Sequence, residues 1–175
     1  MSNKLTIAIS GKSGCGNTTV SRLVAEKLGL KFINYTFHNM AEEKAMDFFE
    51  LCEKAEHDSR YDLFLDQRLK DLAAPGQCVL GSRLAIWLLD KADIKIYLEG
   101  SVDLRVKRIA KREEKSYEQA LDETKKRDKR DRERYMKLYN IDVDQYQFVD
   151  MLIDTGKFDQ YQIADMIILE AKKKL

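Results

Sequence analysis

Leu5-Thr6-Ile7-Ala8-Ile9-Ser10-Gly11-Lys12-Ser13-Gly14-Cys15-Gly16-Asn17-Thr18-Thr19 reads as a buried strand, a glycine-rich turn and the start of a helix. The apolar run Leu5–Ile9 ends at Ser10-Gly11, and beyond Thr18 the apolar residues Val20, Leu23, Val24 and Leu28 recur at helical spacing until Gly29 stops them. A strand, a glycine turn and a helix in that order form an anion cradle. Glycines let the backbone approach a phosphate, successive N–H groups point inward, and the helix N-terminus adds positive potential. Gly11 and Gly16 have the spacing of G-x-x-x-x-G-K-[ST], with Thr18 as the hydroxyl beside a metal ion. Asn17 stands where that pattern has its lysine, so hydrogen bonding is retained and a charge is missing. Lys12, five residues earlier, is placed to offset that missing charge at the phosphates; a solvated loop lysine is the other reading. Cys15 reads as a small residue fitting the turn, although a helix N-terminus can lower a thiol's pKa.

Outward from this unit the strands continue at Lys31–Tyr35, Cys78–Leu80, Ile94–Leu98 and Met151–Ile153. Residues from Thr36 to Ala74 read as amphipathic helix broken near His57-Asp58-Ser59, and Pro75-Gly76 as a turn. A short apolar helix runs through Trp87, which reads as core. A basic helix follows from Val102 to about Arg112, then a charged helix to about Tyr139, and a last helix from about Gln160. Short strands alternating with helices predict an α/β fold with a five-stranded parallel sheet covered on both faces. One domain over 1–175 is expected, with inserts at about 36–74 and 105–139 acting as flaps.

At 175 residues, with 44% hydrophobic and 35% charged, the chain suits a single globular core. That core accounts for the apolar residues, so a monomer is expected. No apolar run nears the roughly 20 residues a bilayer requires, and the lead-in Met1-Ser2-Asn3-Lys4 lacks the apolar segment of a signal peptide. A cytoplasmic protein without a membrane partner is expected. Cys15, Cys52 and Cys78 form no C-x-x-C pair, which points to reduced thiols, and two histidines give no basis for structural zinc. The net charge of +1 conceals an asymmetry: Leu104–Lys137 holds fourteen Lys/Arg against eight Asp/Glu, +6, leaving −5 for the remainder. Such a segment suits an anion. Interleaved acids and few aromatics argue against a nucleic acid.

Gly11–Thr19, Gly81-Ser82-Arg83-Leu84-Ala85-Ile86-Trp87, Arg105–Arg112 and Arg127-Asp128-Lys129-Arg130-Asp131-Arg132-Glu133-Arg134-Tyr135 occur in the order that resembles cytidylate kinases, closest to the small archaeal-type group. The resemblance runs from Leu5 to the terminal helix. Its most specific piece is R-D-x-x-D-x-x-R, and several members of the group are similar in lacking the loop lysine. It implies a P-loop nucleoside monophosphate kinase fold with an NMP-binding insert and a lid. ATP would be the donor, with Mg²⁺, and CMP or dCMP the acceptor.

Arg127, Asp131 and Arg134 fall at i, i+4 and i+7, within one helix face at about 100° per residue. Two guanidiniums there can grip a phosphate while the carboxylate accepts from a sugar or base; a solvated face laced with ion pairs is the other reading. The resemblance assigns this face, with Arg83, to the acceptor. It assigns Arg108 and Arg112 to the transferring phosphoryl group, alongside Lys12, and Gly11–Thr19 to the donor, with Thr18 at the metal. Arg105 shares the lid face and could equally pair with an acid. His38 stands where the family's first flap carries an arginine, which implies a weaker acceptor grip. Three other readings stay open: a catalytically weakened nucleotide-binding regulatory module, a different small-molecule P-loop kinase, and a nucleic-acid binder using the basic lid.

Overall fold

The computed structural model describes residues 5–174, so Met1-Ser2-Asn3-Lys4, read above as the lead-in to the first strand, lies outside the described residues. Five strands, β1 (Thr6–Gly11), β2 (Lys31–Ile33), β3 (Cys78–Gly81), β4 (Ile94–Glu99) and β5 (Met151–Asp154), form one sheet in the order β2-β3-β1-β4-β5. Every neighbouring pair is parallel. The predicted parallel α/β sheet is therefore present, with β2 two residues shorter than its sequence suggests. Asn34 and Tyr35 leave the ladder and turn toward a cleft at the strands' carboxyl ends.

The strand period of two sorts the side chains of β1 between two cores. Ile7 and Ile9 pack with Val20 and Val24 of α1 (Asn17–Leu28) and with Ile163 and Ile167 of α8 (Gln160–Lys172). Ala8 faces the other side, over α2 (Phe37–Glu43), α3 (Phe48–His57), α4 (Arg60–Ala73) and α5 (Ala85–Leu88), where Met40, Leu51, Leu69 and Ile86 are buried. Trp87 packs against this second core, edge-on to Tyr97. Ser10, fully buried, accepts a hydrogen bond from the Ile86 N–H at 3.1 Å and fixes the turn after β3.

Helix α1 ends at Gly29, whose φ of 64° lets the Leu30 N–H reach the Ala25 carbonyl at 2.9 Å. Helices α6 (Val102–Glu113) and α7 (Tyr117–Tyr139) form the basic hairpin, capped by Ser101 and by a Ser116/Gln119 box. A small apolar cluster of Val106, Ile109 and Ala120 holds them together. Among the described residues no helix is long and apolar enough to cross a membrane, and the three cysteines are free thiols.

Candidate active site

The loop between β1 and α1 sits at the carboxyl edge of the central strand, where open α/β sheets place their ligands. Gly14 has φ 86°, and a Cβ there would come within 2.9 Å of the Arg105 carbonyl, so only glycine lets the loop lie against α6. The turn closes on itself through the Cys15 N–H and Lys12 carbonyl at 3.1 Å. The Cys15 side chain is 2% exposed, and burial pushes its thiol pKa up despite the Arg105 and Arg108 guanidiniums. This is opposite to the lowering that a helix N-terminus alone would give. Asn17 is tied by its Oδ1, which accepts from the Ser21 hydroxyl at 3.0 Å one helical turn on. Asn17 and Thr18 both border the cleft.

The hairpin arginines do not all reach that cleft. Arg105, 2% exposed, forks onto Asp128 and donates to the Ser13 carbonyl at 3.1 Å. Arg127 donates to the Ser13 hydroxyl at 3.1 Å. Arg108 donates to the Gly14 carbonyl at 3.2 Å and to Thr155 at 2.9 and 2.7 Å. These three clamp the loop from its outer side, so the root of the hairpin is fastened to the phosphate cradle. Arg112, one turn beyond Arg108, does border the cleft and bonds Glu113 at 2.9 Å. Lys12 borders the cleft too, and its ammonium pairs with Asp144 at 2.6 Å.

Past the loop, the cleft of about 470 Å³ continues between the α2 and α4 insert and the inner face of α7. Arg83 leaves β3 and donates to Asp131 at 2.6 Å, and Arg134 approaches the other Asp131 oxygen at 3.3 Å. Asp131, 8% exposed, thus bridges two guanidiniums that border the cleft. Arg127 and Arg134 share a helix face by count, yet the structure separates them: Arg127 reaches the loop and Arg134 the cleft. His38 is not brought to the cleft. It is exposed and its ring stacks on Phe48 of α3 with centroids 3.7 Å apart.

Sequence reading passed over several residues at this site. Asp62 and Asp66 border the cleft from α4, 7% and 8% exposed, in phase with Leu65 and Leu69. Acids inside an apolar helical stripe were the available signal. Burial raises the Asp66 carboxyl from 3.8 to about 6, although the Tyr139 hydroxyl donates to it; the Asp62 charge adds to the rise. Burial raises Asp62 too, against the Arg134 charge. On the loop's far side, Arg108, Arg112, Thr155, Phe158 and Tyr161 border a second open pocket of about 430 Å³.

A family description, the cytidylate kinase-like family, matches residues 6–157. The chain is 44% identical over 172 residues to cytidylate kinase 2 of Borrelia garinii subsp. bavariensis, covering 96% of this chain and 97% of that one. It is 37% identical over 172 residues to the cytidylate kinase of Archaeoglobus fulgidus, covering 95% and 96%. Among solved structures, a shikimate kinase from Acinetobacter baumannii in complex with shikimate superposes with a TM-score of 0.65 at 21% identity, covering 98% and 95%. That likeness concerns the fold.

Proposed function

The chain belongs to the cytidylate kinase-like family, and from that premise we propose that it transfers the γ-phosphoryl group of ATP to CMP, and to dCMP, giving ADP and the diphosphate. The observation that carries this reading is the continuity of one cleft. It runs from the glycine loop, where a donor's phosphates fit, to the Arg83–Asp131–Arg134 group, where an acceptor's phosphate fits. Both substrates bring the reacting oxygens, so no covalent protein residue is needed. The chain's part is positioning, neutralisation and exclusion of water.

Gly11 to Thr19 wraps the donor phosphates, and the second pocket beside Arg108, Phe158 and Tyr161 offers the donor's base a flat apolar seat. Arg83 and Arg134 hold the acceptor phosphate by forked hydrogen bonds, with Asp131 fixing their spacing. Arg112 lies between the two ends and stabilises charge on the transferring group. Arg127 and Arg105 act on Ser13 and hold the loop's shape. Lys12 reaches the phosphates by leaving Asp144. His38 has no acceptor contact in this assignment.

The Thr18 hydroxyl, exposed at the first turn of α1 and bordering the cleft, fits a Mg²⁺ ion otherwise held by water and substrate phosphates. When bound, such an ion would supply positive charge to the donor phosphates. The remaining neutralisation falls to the arginines, because Asn17 contributes only an amide.

The test is an acceptor screen: protein, ATP and Mg²⁺ with CMP, dCMP, UMP, AMP or GMP, reading ADP release. Turnover with CMP and dCMP above the other three is expected. ATP binding without turnover on any of them would sink the kinase reading and restore the regulatory module.

A further inference from the structure

The acceptor end of the cleft holds two buried carboxylates to which the phosphate assignment gives no contact with the acceptor itself. Asp62 and Asp66 stand one turn apart on α4, with Leu65 and Leu69 on the same face, and Tyr35 and Phe37 border the same cleft. Leu65, Leu69, Tyr35 and Phe37 offer a flat ring apolar contacts in a cleft of mixed lining, and the two carboxylates supply acceptor oxygens there. The two carboxylates are partnered unequally. Asp66 accepts from the Tyr139 hydroxyl. Asp62, 93% shielded by its 7% exposure, accepts no hydrogen bond among the described residues; its nearest cation is Arg134 Nη1 at 3.4 Å. A buried carboxylate left in that condition is costly unless a donor arrives.

Resting on the acceptor reading above, we propose that Asp62 reads the acceptor's base. Its carboxylate accepts from the 4-amino group of cytosine, with Asp66, steadied by Tyr139, as the second acceptor beside it. Cytosine presents N–H donors at position 4, whereas uracil presents an oxygen. Against two carboxylates that oxygen meets acceptors only, and the unpaired groups on both sides disfavour UMP. Burial raises the pKa of both acids, of Asp66 despite the Tyr139 hydrogen bond and of Asp62 despite the Arg134 charge.

The experiment compares Asp62→Asn with the wild type on CMP, UMP and the monophosphate of the 2-pyrimidinone riboside, which lacks the 4-amino group. Asparagine keeps the shape and can offer N–H to the uracil oxygen. The CMP/UMP ratio of kcat/KM is expected to fall about tenfold to a hundredfold. The wild type should lose a similar factor when the amine is deleted from the substrate, and Asp62→Asn little further. Equal losses on CMP and UMP would mark Asp62 as merely structural and overturn the proposal, as would an unchanged ratio. ATP-induced stabilisation monitors folding. Should Asp62→Asn not fold, the wild type decides alone, because indifference to the missing amine overturns the proposal. A wild type that phosphorylates no cytidine nucleotide would instead defeat the proposed function.

Discussion

Arg83, just beyond the carboxyl end of β3, and Asp131, on α7, are joined at 2.6 Å across 48 residues of chain. The pair fastens the carboxyl edge of the sheet to the charged hairpin and sets one guanidinium beside the cleft. Asp131 also faces Arg134 at 3.3 Å, so two positive groups share one anchor.

Arg134→Ala removes one of those groups without touching the glycine loop. The KM for CMP is expected to rise about thirtyfold, the loss of a charge-assisted pair of hydrogen bonds worth about 2 kcal/mol. ATP affinity, measured by titration without acceptor, should stay within about twofold. Equal weakening of both nucleotides would contradict the acceptor assignment.

Arg105 lies beneath the loop rather than in the cleft, and its replacement should act on folding first. Arg105→Leu leaves Asp128 and the Ser13 carbonyl without their shared donor, at an expected cost of about 3 kcal/mol. Lysine cannot reproduce a fork that serves a carboxylate and a carbonyl at once, so Arg105→Lys should recover less than half of that. Urea midpoints read both values, and a midpoint unmoved by Arg105→Leu would mean the clamp contributes nothing.

How much of this was legible in the sequence follows from which contacts are local. The strand, turn and helix around Gly11–Thr19 are fixed by neighbours in the chain, and the sheet follows from the five short apolar runs. The break after α2 was not legible, because Ala45 adopts φ 49° where a glycine would be the usual sign. The site divides the same way. Helical spacing put Arg127 and Arg134 on one face and also contains the i, i+3 pair of Asp131 with Arg134, whereas the distant partners, Ser13 for Arg127 and Asp62 for Arg134, depend on how far along α7 each neighbouring element crosses. No spacing rule contains that. His38 shows the same limit, since its stacking on Phe48 depends on where α3 turns back.

In the proposed assignment Asp144 and a donor phosphate compete for the Lys12 charge. Their ion pair is about one-third exposed on each side, which makes it worth no more than about 1 kcal/mol. Asp144→Ala should therefore free the ammonium and tighten ATP by up to about fivefold, while Lys12→Ala weakens it. Both shifts should shrink as salt rises. ATP titrations at two ionic strengths check this. If Lys12→Ala changes neither affinity nor rate, the arginines alone supply what Asn17 lacks.

Asp66 gives the fold a pH dependence of unusual sign for a carboxylate. Its pKa is raised to about 6 by burial, from 3.8, so the native state holds the proton more tightly than the unfolded chain does. Stability contributed by this group is present below about pH 4 and is lost as pH rises through about 6. Asp66→Asn keeps an oxygen for the Tyr139 hydroxyl and never ionises. It is expected to be more stable than the wild type by about 1–3 kcal/mol at pH 8, with the difference closing toward pH 4. Paired denaturation curves across that range isolate the group together with its coupling to Asp62, because the more distant carboxylates cancel between variant and wild type. A difference that does not change with pH would place the cause in packing around Asp66, and its titration would then play no part.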